Sequence, residues 1–172
     1  MPSGPCTLRS SMRRPELALA AFLAVATTAV AQSSARPGVR VQVTRIGSSG
    51  GWSGSAFVPI PPSRTTVTAG ACPDYEGLGR SASGAVREVR VHLASRPGVE
   101  RPLTLALGDA VGCGEARLEI LLDDGSTLRP TVGSATVTLE AGDLHGRITG
   151  TITHTDGTPT TVVADFALRP RT

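Results

Sequence analysis

From Val39 onward, apolar and polar residues alternate with a period of two, which is typical of half-buried β-strands. Val39, Val41 and Val43 are each followed by a polar residue. The same alternation recurs further along the chain, with these apolar positions: Trp52, Ala56 and Val58; Val89, Val91 and Leu93; Leu103, Leu105 and Leu107; Leu118, Ile120 and Leu122; Ala135, Val137 and Leu139; Ile148 and Ile152; Val162, Ala164, Phe166 and Leu168. No helical spacing interrupts these runs, and the pattern therefore predicts an all-β fold.

Turn-forming residues separate several of these runs. Asp123-Asp124-Gly125, Ala141-Gly142-Asp143 and Asp156-Gly157 contain residues that tolerate the positive φ of tight hairpins. Short strands that follow one another without helices favour antiparallel pairing over a parallel α/β sheet. We expect an antiparallel β-sandwich or a partly closed barrel of about eight to nine strands. Residues 32–172 suit a single domain of common size.

One stretch lacks sustained alternation. Residues 70–84 contain a cysteine, a proline and several glycines, and we interpret them as a long surface loop. Functional residues of all-β proteins often lie on such loops. Asp74, Tyr75 and Glu76 are therefore candidate ligand contacts. The alternative is that the segment only connects strands and that its acids are ordinary solvated groups.

The first 31 residues follow a different pattern. Arg13 and Arg14 precede an uncharged apolar run at 17–30, which ends in Ala-Val-Ala at position 31. A positive flank, a short apolar core and small residues two positions apart are the parts of a secretory signal peptide. The run of about 14 residues is shorter than the ~20 that a membrane-spanning helix needs. We expect residues 1–31 to be cleaved, with Met12 as an alternative start, and the mature protein to be secreted or periplasmic.

Loss of this segment changes the net charge. The full chain has 17 basic and 14 acidic residues; three of the basic and one of the acidic ones precede position 32, which leaves a net charge of +1 for residues 32–172. Such a balance does not indicate binding to nucleic acid or to an anionic membrane surface. We expect a monomer without cofactor or membrane span, whose partner is a protein or a small ligand.

The cysteine count agrees with export. Cys6 lies in the predicted signal segment, so Cys72 and Cys113 are the pair that remains. An even pair in an oxidising compartment predicts a disulfide. Joining these positions is worth about 4 kcal/mol on chain-entropy grounds. The alternative is two unpaired buried thiols.

Two segments resemble the start of trypsin-like serine proteases. Residues 54–58 and 66–72 match a Gly-Ser-x-Phe strand followed by a Thr-Ala-x-x-Cys segment. The resemblance places Ala71 where that family has its catalytic histidine. Ala110 stands where the nucleophilic serine belongs, within Gly-Asp-Ala-Val-Gly. A triad without base and nucleophile cannot carry out acyl transfer.

The histidines give no metal-binding pattern. His92, His145 and His154 lack the close spacings of metal ligands, and no metal site is predicted. We also predict that no two of them share a carboxylate in a concave pocket. The oxygen-rich turn at Asp123-Asp124-Gly125 lacks the regular ligand spacing of a calcium loop, so a hairpin turn is favoured there.

These features favour a non-catalytic binding or structural protein of the bacterial envelope or exterior. The alternative is a secreted hydrolase with acid–base residues on loops, for which Asp74 and Glu76 are the only suitable acid cluster. An outer-membrane barrel would need aromatic girdles, whereas residues 32–172 contain only four aromatic side chains. A soluble domain is therefore favoured.

Overall fold

The structure is a computed structural model that describes residues 36–45, 51–96, 101–109, 111–140 and 142–171. The predicted signal peptide lies outside these residues. The strands, in chain order, are β1 (Gly38–Arg45), β2 (Gly54–Pro59), β3 (Thr65–Thr68), β4 (Asp74–Arg80), β5 (Val86–Ala94), β6 (Leu103–Leu107), β7 (Glu115–Leu122), β8 (Thr127–Leu128), β9 (Val132–Glu140), β10 (Asp143–Thr153) and β11 (Pro159–Leu168). A 3-10 turn at Pro62–Arg64 leads from β2 to β3. The all-β prediction is confirmed, and no described segment is a helix long and apolar enough to cross a membrane.

The strands form one curled, open sheet. Its order is β2-β1-β11-β10-β9-β6-β7-β5-β4-β3, and β8 pairs with β7 beside this path. Neighbours are antiparallel except β6 and β7, which run parallel over two residue pairs. β2 and β3 are the two edge strands on this path, so the sheet is open, and its curl makes it a half-barrel. Of the two expected architectures, the partly closed barrel is confirmed and the β-sandwich is wrong, because all the described strands belong to one hydrogen-bonded sheet. The number of strands exceeds the eight to nine expected, because β3, β4 and β8 have no apolar alternation in the sequence.

The inner face of the sheet carries the hydrophobic core. In β1 the side chains of Val39, Val41 and Val43 are at most 2% exposed, whereas Arg40 and Gln42 between them are exposed. β5, β7, β10 and β11 bury their alternate apolar residues in the same cluster. Each fully buried Val, Leu, Ile or Phe side chain among them stabilises the fold by roughly 1.5–3 kcal/mol relative to an exposed position. The period of two in the sequence is therefore the period of burial.

The predicted loop at residues 70–84 is wrong over its central part. Asp74–Arg80 form β4, which pairs with β3 on one side and β5 on the other. The inward positions of this strand are Tyr75, Gly77 and Gly79, and both glycines are buried. Since glycine contributes no apolar side chain, β4 lacks the period-two pattern of apolar residues by which the other strands were predicted.

The two glycines of β4 leave space for side chains of other strands that point into the core. A Cβ atom added at Gly77 would lie 2.5 Å from Leu168 Cδ2, and one at Gly79 would lie 2.8 Å from Val58 Cγ1. Real Cβ contacts are not this short. Side chains from β2 and β11 therefore fill the space on the inner side of β4.

The disulfide prediction is confirmed. Cys72 is bonded to Cys113, 41 positions further along the chain, and their Cα atoms are 5.8 Å apart. Cys72 precedes β4 and Cys113 precedes β7. We call the end of the sheet where these strands begin the disulfide end.

The turn at Asp123-Asp124-Gly125 is a hairpin turn, as predicted. Asp124 Oδ1 accepts hydrogen bonds from Ser126 N at 2.8 Å and from Ser126 Oγ at 2.6 Å. These bonds lower the pKa of the Asp124 carboxyl below its ordinary value. Gly125 has a φ of 83°, which favours glycine. The carboxylate thus stabilises the turn itself.

Candidate functional site

The three predicted contact residues lie on opposite faces of β4. Tyr75 points inward, opposite Leu93 in register, and packs against the core. Asp74 and Glu76 point outward and are half-buried. The three side chains therefore do not form one contact surface, and of the three only the two acids lie on the outer face.

The outer face brings Asp74 to a histidine. His92 Nε2 on β5 contacts Asp74 Oδ1. His92 is paired in register with Glu76 of β4 and with Arg117 of β7. These residues are far apart in sequence, so the contact follows from strand register, which no local motif reveals.

Arg90 of β5 lies among three carboxylates. Its Nε is 3.3 Å from Glu76 Oε1, its Nη2 is 3.6 Å from Glu88 Oε1, and its Nη1 is 4.0 Å from Glu119 Oε2. Nε is buried and makes no hydrogen bond, so the contact with Glu76 is an ion pair without hydrogen-bond alignment. One guanidinium thus balances acids from β4, β5 and β7.

Further ion pairs continue this arrangement to both sides. Arg80 Nε donates to Glu88 Oε2 at 2.9 Å, and Arg129 Nη2 lies 2.5 Å from Glu119 Oε1. Surface pairs of this kind contribute only about 0–1 kcal/mol each, so their main effect is to hold charges in place. We call the following set the charged face: Asp74, Glu76, Arg80, Glu88, Arg90, His92, Arg117, Glu119 and Arg129.

Two shallow depressions lie on this side of the sheet. One has a volume of about 140 Å³ and is lined by Glu88, Arg90, Glu119, Leu121 and Thr127. The other, about 220 Å³, is lined by Arg64, Thr66, Glu76, Leu78 and Arg80. Small-molecule pockets typically have roughly 300–1,000 Å³. These depressions are therefore suited to part of a ligand lying on the surface.

The other histidines lie away from the charged face. His154 Nε2 is 2.7 Å from Thr160 Oγ1 and 3.2 Å from Arg45 Nη2, at the disulfide end of the inner face. His145 is on the outer side of β10. Among the described residues, His92 is the histidine in contact with a carboxylate. The same part of the chain contains no group of three or more His, Cys, Asp or Glu side chains arranged to hold a metal ion.

Two further ion pairs lie on the opposite half of the sheet. Arg169 Nη2 lies 2.6 Å from Asp143 Oδ2, and its hydrogen bonds lower the pKa of the Asp143 carboxyl. Arg147 Nε donates to Asp165 Oδ1 at 2.6 Å, which raises the pKa of the Arg147 guanidinium. The first pair links β10 to the residue that follows β11, and the second links β10 to β11 and provides a control for experiments on the charged face.

Comparison with protein-family models, with curated proteins and with solved structures gives no match in any of the three. A functional proposal for this half-barrel therefore depends on its own geometry and chemistry.

Proposed function

We propose that the protein is an exported, monomeric β-domain that binds a partner without catalysis, at the bacterial envelope or outside the cell. The observation that carries this proposal is the charged face. It presents paired donors and acceptors on three hydrogen-bonded strands. Held charges of both signs give specificity to an interface by matching the partner's charges and excluding mismatched ones.

Two features support export. The bond between Cys72 and Cys113 is of a type that persists in oxidising compartments. The signal-peptide pattern of residues 1–31 also predicts secretion. Together they favour a role in the periplasm or outside the cell.

Sedimentation of the purified mature protein with envelopes isolated from the source cells tests this proposal. We expect saturable binding that the double variant Glu76→Gln/Arg90→Gln weakens about tenfold. This variant removes one cation and one anion from the charged face and leaves the net charge unchanged. Loss of charge-assisted hydrogen bonds to a partner accounts for an effect of that size.

The matched control is Arg147→Gln/Asp165→Asn, which removes an exposed ion pair of β10 and β11 with the same net charge. It should bind as the wild type does. Equal loss of binding by both double variants, or no saturable binding by the wild type, would contradict the proposal. Unchanged thermal unfolding of both variants shows that the comparison concerns binding.

The alternative, a secreted hydrolase, has one specific observation in its favour. A histidine beside a carboxylate, as in the contact of His92 with Asp74, can serve as a general base. Assays with chromogenic ester, glycoside and peptide substrates separate the two functions. Turnover that disappears in His92→Gln would establish the enzyme, whereas the binding proposal expects none in either protein.

A further inference from the structure

We propose that the depression between β3 and β4 binds the carboxylate of an acidic saccharide, a sugar chain with uronic acid units. This inference rests on the proposed binding function and names a ligand class for one part of that surface. The depression of about 220 Å³ lies along the outer side of the edge strand and is lined by two arginines, a threonine, a glutamate and a leucine.

Arg64 supplies the available cation of this depression. Its backbone N–H donates to Pro61 O at 2.8 Å, which sets the residue directly before β3. The side chain is exposed and, within the residues that the structure describes, takes part in no ion pair. A guanidinium presents a planar pair of N–H donors that matches the two oxygens of a carboxylate.

Arg80 provides a second guanidinium from β4. Its Nε is held by Glu88 Oε2 at 2.9 Å, which orients the side chain from the β5 side. Thr66 stands opposite Glu76 in register and lines the same depression. The site therefore combines two cationic donors with a neutral group that can both donate and accept.

Glu76 and Leu78 indicate which class of anionic ligand the depression favours. Glu76 lies 3.3 Å from Arg90 Nε, and its carboxylate in the depression would repel a ligand with closely spaced negative charges, such as a polyphosphate or a nucleic acid. The same carboxylate accepts hydrogen bonds from hydroxyl groups. Leu78 is half-buried and offers apolar surface to the C–H groups of a sugar ring. One carboxylate flanked by several hydroxyls fits this set best.

Isothermal titration of the mature protein with trigalacturonate, and with the neutral trigalactose as its counterpart, tests the inference. We expect binding of the acid and much weaker binding of the neutral sugar. Arg64→Gln should lower the affinity for trigalacturonate about tenfold, since a hydrogen bond to a charged group is lost. Arg40→Gln is the matched control, because Arg40 is also exposed but lies on β1.

Several results would overturn the inference: equal binding of the neutral sugar, wild-type affinity in Arg64→Gln, equal loss in Arg40→Gln, or tighter binding of a glutamate tripeptide than of trigalacturonate. The envelope-binding experiment shows whether a negative result concerns only the ligand class or the proposed binding function as well. If envelopes bind and trigalacturonate does not, only the ligand class is wrong. If neither binds, the binding function itself fails.

Discussion

At the scale of single residues, the inner-facing glycines are the least conspicuous determinants of this fold. Gly77, Gly79, Gly146 and Gly150 all face the core, and each is adjoined by a large apolar side chain from another strand. At Gly146 this neighbour is Phe166, whose ring occupies the space that a side chain would take. The curled sheet thus packs a large residue against a glycine at several points, as dense packing of an interior requires.

The substitution Gly146→Ala should destabilise the protein by about 1–3 kcal/mol or more. The new Cβ would lie 2.3 Å from Phe166 Cζ and 2.6 Å from the backbone oxygen of Thr136, and a backbone atom of a paired strand has little freedom to move. Urea unfolding measures the change. Gly70→Ala is the control, because its nearest atom would be 3.8 Å away. Equal midpoints for the two variants would show that the sheet relaxes at Gly146.

The carboxyl of Asp143 should make stability fall at acidic pH. The hydrogen bond from Arg169 lowers its pKa in the folded protein, so the folded state holds this proton less tightly than the unfolded state does. The resulting stabilisation is present above the unfolded pKa of about 3.9 and is lost as the pH falls through the lower folded value. The side chain of Arg169 is 54% exposed and that of Asp143 is 21% exposed, and solvent screening limits the effect to less than about 1 kcal/mol.

NMR titration of the Asp143 carboxyl, combined with unfolding between pH 2 and pH 6, checks this prediction. In Arg169→Gln the pKa should rise toward its ordinary value, and the acid-dependent part of the stability should shrink with it. A titration midpoint that is the same in both proteins would mean that Arg169 does not cause the shift.

At the scale of elements, the junction of β6 with β7 is the shortest pairing on the main path of the described sheet. Only Ala106–Glu115 and Leu107–Ala116 are paired there, although this junction joins the two halves of the sheet. Cys113 lies two residues before β7, and Gly114 N donates to Ala94 O at 2.6 Å. The disulfide therefore holds the start of β7 next to the shortest pairing on the main path.

The double variant Cys72→Ser/Cys113→Ser should lose about 2–4 kcal/mol, because the unfolded chain regains the freedom that the bond removes. Hydrogen exchange should increase most at Ala106 and Ala116, where the pairing is short. Reduced wild-type protein should behave in the same way. An unchanged urea midpoint, or exchange that rises evenly over all strands, would contradict this account.

At the scale of the whole molecule, the distribution of charge matters more than its sum. Residues 32–172 have a net charge of only +1, yet the charged face groups acids and arginines on one side of β4, β5 and β7. A nearly neutral protein can in this way present a strongly patterned surface. Net charge alone therefore says little about the partner.

We predict that the protein is secreted and that its secreted form begins at Gln32, because small residues precede that position as a signal peptidase requires. Intact-mass measurement of secreted material would show the mass of residues 32–172, with or without cyclisation of the terminal glutamine. Recovery of an uncleaved chain from the membrane fraction would contradict both the prediction of a signal peptide and the predicted cleavage site.

The sequence alone determined the features that depend on neighbouring residues. It also determined the disulfide, because only one pair of cysteines is left once the predicted signal peptide is removed. The alternation around Val41 and Leu118 predicted buried strand faces, because a side-chain period of two is intrinsic to the extended backbone. Asp124-Gly125 predicted a turn for equally local reasons. Cys72 and Cys113 were predictable as a pair because no other cysteine remains after residue 31.

The tertiary structure alone decided the identity of β4 and the composition of the charged face. Gly77 has no side chain that could mark it as buried, and its position is set by Leu168 on the far side of the core. The contact between His92 and Asp74 depends on strand register. Register is fixed by the burial of whole strand faces against one another, so a sequence pattern that is read locally does not contain it.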